Sequence, residues 1–387
     1  MAAKPRILIA PLDWGLGHAT RCVPIIDEVM QQGGTPVLGT AGRAYAYLKA
    51  EFPGLELIRL PSYNIRYYGA NMVWNIGVQA PRLIRAVWQE HDQLQRLIGR
   101  LRIDAVISDN RFGCFSSRIP SVFITHQRCI QIASPPLQWL ANRLNYWFIR
   151  QYDECWIPDI PGPGNLAGAL SVPCDSVGDR GSFGRAEAYL HSPPLSNNPS
   201  HSLLFRHIGL LSRLRPVKEE IKFDILALLS GPEPQRSRLE ALLIRQLKEL
   251  PLRVLLVQGK TEREERHQPA PHIEVVSYLK AGELQSAMSR SSLVICRSGY
   301  STAMDLAAMG KKALLIPTPG QTEQEYLARR LQQLGYCSYQ KQNELNVERG
   351  IQDAGASSGF PKNNRQEEGL AEAVRGLLNR KSTGNGK

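Results

Sequence analysis

Several protein classes are excluded by what this chain lacks. It contains no run of about 18 or more apolar residues, so no transmembrane helix is expected. Its start, Met1-Ala2-Ala3-Lys4-Pro5, lacks the apolar core of a signal peptide, and cytoplasmic residence is the expectation. The seven cysteines are scattered, with no Cys-x-x-Cys spacing; this argues against a disulfide frame or a zinc site and for small core residues. Aromatic residues make up only 7%, and no nucleic-acid-binding module is readable, so no nucleic-acid partner is expected. Asp-x-Asp is absent, so a sugar diphosphate held through a divalent metal on such carboxylates is not expected, nor is any other metal or cofactor. His-Glu-x-x-His is absent too, leaving a metalloprotease reading without support.

What is present is a globular composition, 43% hydrophobic and 21% charged, over 387 residues, enough for two ordinary domains. The net charge of +12 suits phosphate-bearing ligands or an anionic membrane surface, a solvated basic surface being the plain alternative. Strand-length apolar runs at 6–10, 36–40, 55–60, 104–108, 121–125 and 154–157 alternate with helical patterns at 20–32, 43–51, 81–101 and 137–151. The alternation resumes from 223 to 316 and continues in helices at 324–334 and 367–379. Strands separated by helices imply parallel βαβ units. The expected fold class is therefore α/β with two Rossmann-like domains, 1–213 and 214–387, hinged near 210–220. Pro-, Gly- and Ser-rich sequence at about 160–205 reads as an irregular insertion, and 350–365 as a second polar segment.

Polar residues cluster where the strands end. After the first strand come Gly15 and Gly17, which allow close backbone approach, and then His18 at a helix start. An imidazole there can take a proton from a hydroxyl as general base; capping the helix is its structural alternative. Asp109 and Arg111 follow one strand and His126 the next, places where α/β sheets bind ligands. Asp109 is the candidate to orient His18, and Gly15, Gly17, Arg111 and His126 are acceptor-side candidates. In the second half, Ser230 and Gly231 suit close approach to a phosphate. Gly259-Lys260-Thr261 is not a P-loop, because Val254 stands where that motif needs glycine. The most specific cluster is Arg297, Ser298, Gly299, Ser301 and Thr302 at a helix start, an anion cradle, with Asp305 one turn on to accept from ribose hydroxyls. A simple N-cap with a first-turn acid is compatible with the same residues. Gln324 and Glu325 follow the next strand and are placed to bind sugar hydroxyls.

The segment 224–334 resembles the C-terminal domain of the GT-B glycosyltransferases of the MurG type (glycosyltransferase family 28), and Gly15-Leu16-Gly17-His18 is similar to that family's Gly-rich histidine loop. The resemblance implies two domains facing across a cleft and a UDP-sugar donor bound mainly by the second. It puts Asp305 in the place of the ribose-binding acid, where the family has Glu. Gln324 takes the first place of a glutamine pair, Glu325 replaces the second, and Tyr278-Leu279 fall where the base is contacted. The expected activity is metal-independent, inverting transfer of a hexosyl or N-acetylhexosaminyl group to an acceptor hydroxyl on an unidentified molecule, lipid-linked or glycan. A UDP-N-acetylglucosamine 2-epimerase and a non-catalytic nucleotide-binding subunit are the alternatives. Peripheral attachment at the inner membrane face, through the helix carrying Arg82, Arg85, Arg96, Arg100 and Arg102 with Trp74 and Trp88 nearby, stands against a plain core-packed helix with a solvated basic face.

Overall fold

The computed structural model describes residues 4–63, 72–132, 134–173, 203–260, 265–361 and 366–382. The chain divides into two compact units, one built from residues up to Leu211 with the C-terminal segment, the other from Ser212 to Asn363.

In chain order the first unit contains β1 (Arg6–Pro11), α1 (Leu16–Gln31), β2 (Thr35–Thr40), α2 (Gly42–Glu51), β3 (Glu56–Arg59) and α3 (Met72–Leu101). There follow β4 (Ala105–Asp109), β5 (Ser121–Ile124), α4 (Pro135–Ile149), β6 (Glu154–Ile157) and β7 (Leu204–His207). The strands form one parallel sheet in the order β3-β2-β1-β4-β5-β6-β7. Helical crossovers cover both faces of such a sheet, which is why its central strands are continuous apolar runs rather than alternating ones. Ile7, Leu8, Ile9 and Ala10 of β1 and Ala105, Val106 and Ile107 of β4 are all buried.

The second unit contains β8 (Phe223–Leu228), α5 (Gln235–Leu247), β9 (Val254–Val257), β10 (Arg266–Ala270), β11 (Ile273–Val276) and α6 (Ala281–Ser289). It continues with β12 (Ser291–Cys296), α7 (Tyr300–Met309), β13 (Lys312–Leu315), α8 (Thr322–Gln333), β14 (Ser338–Tyr339) and α9 (Val347–Ala356). Its sheet runs β10-β11-β9-β8-β12-β13-β14, parallel except for the β10–β11 pair.

The last helix, α10 (Gln366–Ser382), corrects the expected domain division. It groups with the first unit, not with 214–361. Its apolar stripe Leu370, Ala373, Val374 and Leu377 is buried, at the i, i+3, i+4, i+7 spacing of a helix packed on one side. Gln32 at the end of α1 donates Nε2–H to the Ala371 carbonyl at 2.8 Å, and Arg380 pairs with Glu154 at 2.5 Å. A second correction concerns 350–365, read as an irregular polar segment: α9 occupies its start. A Cβ on Gly350 would lie 2.7 Å from Leu314 Cδ2, so glycine there lets α9 lie tightly on β13. Cys129 is disulfide-bonded, whereas the scattered cysteines argued against a disulfide frame and for mostly small core residues. Of the expected insertion, 174–202 lies outside the described residues. The part before it is ordered by the buried Asp159, whose carboxylate accepts the amides of Ile160, Leu166 and Ala167 at 2.7 to 3.0 Å.

Candidate functional site

In the first unit the expected residues follow β1, β4 and β5, which are neighbours in the sheet, so one carboxyl edge collects them. Gly15 turns the chain from β1 into α1 with φ +89°, a conformation that only glycine adopts without strain, and it caps the helix with no side-chain bond. Gly17 lies in the first turn of α1. The first amides of a helix have no intrahelical acceptor.

His18 is partly exposed, and its Nδ1 lies 3.1 Å from Asp109 Oδ2. Asp109 is buried. Burial by itself pushes its carboxyl up, but Arg21 and then His18 overturn that and hold it well below the usual carboxylate range. Arg21 is the residue the sequence reading missed. It is 2% exposed and forks both oxygens of Asp109, Nε to Oδ2 at 2.8 Å and Nη2 to Oδ1. The same Nη2 lies 2.9 Å from His18 Nδ1. His18 Nδ1 thus faces an acceptor, Asp109, and a donor, Arg21. With its proton directed at Asp109, the ring leaves Nε2 as the basic nitrogen. The signal was available: Arg21 stands one helical turn after His18, on the same face of α1.

Two acceptor-side expectations need correction. Arg111 is fully buried, and its guanidinium is spent on the Pro11 carbonyl (2.9 Å), the Pro61 carbonyl (3.0 Å), Asp13 (3.3 Å) and Glu90. It braces the loop after β1 against α3 with four of its five N–H donors and is buried away from a ligand. His126 is 4% exposed and lies behind the cluster, its Nδ1 3.5 Å from Arg21 Nη1.

In the second unit the expected residues again lie at one carboxyl edge: Ser230 and Gly231 after β8, Gly259 after β9, Tyr278 and Leu279 after β11, Ser298 to Thr302 after β12, and Gln324 and Glu325 in the first turn of α8. Ser298 donates Oγ–H to the Gln324 carbonyl at 2.8 Å, and the Thr318 amide donates to Gln324 Oε1 at 2.8 Å. These bonds tie the start of α7 to the start of α8. Gly259, φ +71°, is required sterically, since a Cβ there would sit 2.5 Å from the Leu229 carbonyl oxygen. Gly231, φ +98°, passes over the buried Thr318 hydroxyl, which has no hydrogen-bond partner among the described residues. Gly299 is the N-cap of α7, and Ser301 and Thr302 are partly exposed in its first turn.

Arg297 departs from the expectation. It is 1% exposed and donates to the carbonyls of Ile316 (3.1 Å), Pro317 (3.0 Å) and Gln235 (3.0 Å) and to Gln342 Oε1 (2.7 Å). It fastens α5, β12 and the end of β13 from beneath, and burial pulls its ionisation down to about 10. Its charge lies under the edge rather than in contact range of a ligand.

Asp305 is partly exposed and accepts the Ser212 hydroxyl at 2.6 Å. Burial pushes its carboxyl up to about 6, against the opposing pulls of Arg213 and the Ser212 bond. The unfolded chain ionises near the ordinary value of about 3.9. As pH rises from about 4 to 6 the unfolded state therefore loses its proton first, and Asp305 costs folding stability across that window. Asp305→Asn is expected to raise stability at pH 7 by up to about 2 kcal/mol, less than the full shift because the group is partly solvated. The gain should vanish below pH of about 4; urea melts of the two proteins at pH 4 and pH 7 check it.

The comparisons with known proteins agree with this geometry. Residues 237–377 match the glycosyltransferase family 28 C-terminal domain. An uncharacterized glycosyltransferase of Methanosarcina acetivorans is 26% identical over 371 residues, 86% of this chain and 82% of that protein. The UDP-N-acetylglucosamine--N-acetylmuramyl-(pentapeptide) pyrophosphoryl-undecaprenol N-acetylglucosamine transferase of Methylobacterium radiotolerans is 38% identical over 79 residues, 20% of this chain and 21% of that one. Among solved structures, MurG of Acinetobacter baumannii superposes with a TM-score of 0.54 at 15% identity, covering 97% of this chain and all of that one. The glycosyltransferase SnogD of Streptomyces nogalater does so with a TM-score of 0.56 at 17% identity, covering 98% and 96%. With a family 28 domain in its second half and the GT-B fold throughout, the chain is a MurG-like glycosyltransferase.

Proposed function

We propose that the chain transfers a hexosyl or N-acetylhexosaminyl group from a UDP-sugar to a hydroxyl of a lipid-linked or glycan acceptor, without a metal and with inversion. The observation that carries the reading is the partly exposed His18 held against a buried, ionised Asp109 at the end of β1. In this reading His18 Nε2 takes the proton of the acceptor hydroxyl as its oxygen attacks the anomeric carbon. The bond from that carbon to the diphosphate oxygen breaks, the electron pair leaves with UDP, and Asp109 stabilises the imidazolium that forms. The starts of α7 and α8 and the Ser230-Gly231 turn would hold the departing diphosphate through backbone amides and hydroxyls, the sources of charge stabilisation at helix N-termini. Asp305 would accept from ribose, and Gln324 and Glu325 would meet the sugar. The lipid-linked acceptor named for the Methylobacterium relative supports a place at the inner face of a membrane.

Thermal melting with UDP, GDP, TDP and NAD, each without metal, tests the donor side. Ligand at a hundredfold excess over its Kd stabilises by about 2.7 kcal/mol. UDP alone is expected to raise Tm, and Asp305→Ala to reduce the rise. A rise with NAD alone, or with none, would overturn the reading. Conversion of the donor sugar with acceptor omitted would indicate an epimerase instead.

A further inference from the structure

One arginine at the carboxyl edge of the first sheet has no acid to answer it. Arg128 follows β5, two residues after His126, and is partly buried. No aspartate or glutamate occurs from residue 110 to residue 152, and none of the groups acting on the Arg128 charge is a carboxylate. Among the described residues its guanidinium makes neither an ion pair nor a hydrogen bond. What holds it is an aromatic face: its central carbon lies 3.7 Å from the centroid of the Phe205 ring. Burial pulls its ionisation down from the ordinary arginine value. A cation drawn partly out of water, flat on a ring and with its N–H fork unspent, is a site short of an anion.

The backbone that carries it is fastened. The Arg128 and Cys129 amides both donate to the Leu170 carbonyl, at 2.7 and 3.0 Å, and Cys129 is disulfide-bonded. The guanidinium is therefore in place before a ligand arrives, and little ordering entropy is lost on binding.

A second group stands beside it. Phe205 and His207 are i and i+2 on β7, so their side chains leave the same face of the strand. A ring N–H of His207 donates to the Asp159 backbone carbonyl, while its buried Nδ1 has no hydrogen-bond partner among the described residues. The proton is thus on Nε2, and Nδ1 presents a lone pair. Burial, and after it the nearby charge of Arg128, hold the imidazole below the ordinary histidine value against the opposing pull of the Asp159 bond. The ring is then neutral at pH 7 and remains an acceptor. A fixed guanidinium calls for an anion, and a buried lone pair calls for a hydroxyl.

We propose that Arg128 and His207, over Phe205, form a binding site for a hydroxylated anion: a carboxylate or phosphate taken by the guanidinium, with a neighbouring hydroxyl that donates to His207 Nδ1. The site is separate from the donor edge of the second unit and from His18. In the sheet, β7 stands three strands from β4, which ends in Asp109, a separation of roughly 14 Å at ordinary strand spacing. An acidic acceptor would be gripped here by a group remote from the hydroxyl that His18 deprotonates, and this clause alone rests on the transfer reading.

Calorimetric titration of the full chain with D-glucuronate, D-glucose 1-phosphate, acetate and D-glucose, with no donor present, tests the site. The two sugar anions are expected to bind, acetate more weakly and glucose not at all. Glucuronate ahead of glucose 1-phosphate would support the site with a carboxylate as its ligand, and the reverse order would support it with a phosphate. Arg128→Gln should weaken binding of the tighter anion by ~10- to 100-fold, the worth of a charge-assisted contact. Arg128→Lys, which keeps the charge and loses the fork, should cost less. His207→Phe should weaken the sugar anion by about 3- to 10-fold and leave acetate unchanged, a split that general loss of structure does not produce. The UDP-dependent rise in Tm depends on the second unit and should be the same in all three variants, so this site and the transfer reading fail separately. Binding of neither sugar anion at millimolar concentration would overturn the proposal. So would undiminished binding in Arg128→Gln, or an equal loss from Lys218→Gln in the second unit, which would indicate adsorption by net charge.

Discussion

Replacing His18 with alanine is expected to lower kcat by ~100- to 10,000-fold, the range over which a positioned general base contributes. Donor binding should survive, because the UDP-dependent rise in Tm depends on the second unit. The fold should survive as well: His18 is partly exposed, and Asp109 keeps the bidentate Arg21 when the imidazole is gone. Initial rates at saturating donor and acceptor, measured beside the UDP melting shift, separate these effects. A variant that retains wild-type kcat would remove His18 from the chemistry. Asp109→Asn is the milder companion. It keeps the shape of the side chain but leaves Arg21 without a counter-charge, so it should cost both stability and rate, whereas His18→Ala costs rate alone.

Replacing Arg21 with methionine is expected to produce the largest loss of stability at any single position discussed for this protein, about 3 to 5 kcal/mol, since it leaves an ionised carboxylate buried and unpaired. The pH dependence gives the mechanism away. In the native protein the folded Asp109 carboxyl is held below its unfolded value, so the pair contributes stability that is fully present above the unfolded value of about 3.9 and is lost as pH falls through the lower folded one. Without Arg21, burial is opposed only by His18, and the folded carboxyl moves upward. Asp109 then costs stability as pH rises instead of supplying it. Urea melts of wild type and Arg21→Met at pH 4 and pH 7 should therefore diverge towards neutral pH. Adding Asp109→Leu to Arg21→Met should recover much of the loss, because an apolar pair needs no counter-charge. A destabilisation of equal size at both pH values, unrelieved by the second substitution, would show that Arg21 acts through packing alone.

Most of the architecture was readable because parallel strands buried on both faces are written as uninterrupted apolar runs, and each is followed by a helix with its own period. The elements that escaped are those in which tertiary contacts override local composition. Gly350 and its polar neighbours read as a loop, yet the missing Cβ at Gly350 is what lets α9 close on Leu314. The polar β10 carries no apolar alternation and is defined by its antiparallel partner β11. In the candidate site, the residues at strand ends were legible as a set, but their division of labour was not. Arg111, Arg297 and His126 stand where ligand-binding residues stand, and only burial shows them to be braces or backing. Arg21 was passed over because an arginine inside a helical pattern looks like solvated charge until its carboxylate, 88 residues away, is placed beside it.

The return of α10 to the first unit has a consequence for biosynthesis. A ribosome completes residues 1–211 long before it makes Leu370, Ala373, Val374 and Leu377, the residues that α10 buries in that unit. The second unit, built mainly from 212–363, can close first, while the amino-terminal one waits with the α10-binding surface beside Gln32 uncovered. Emergence order and maturation order are thus inverted, although domains generally fold from the N-terminus during synthesis. Truncation before residue 366 would leave that nascent half permanently unfinished, and a bulky carboxyl-terminal fusion would burden the first unit rather than the second.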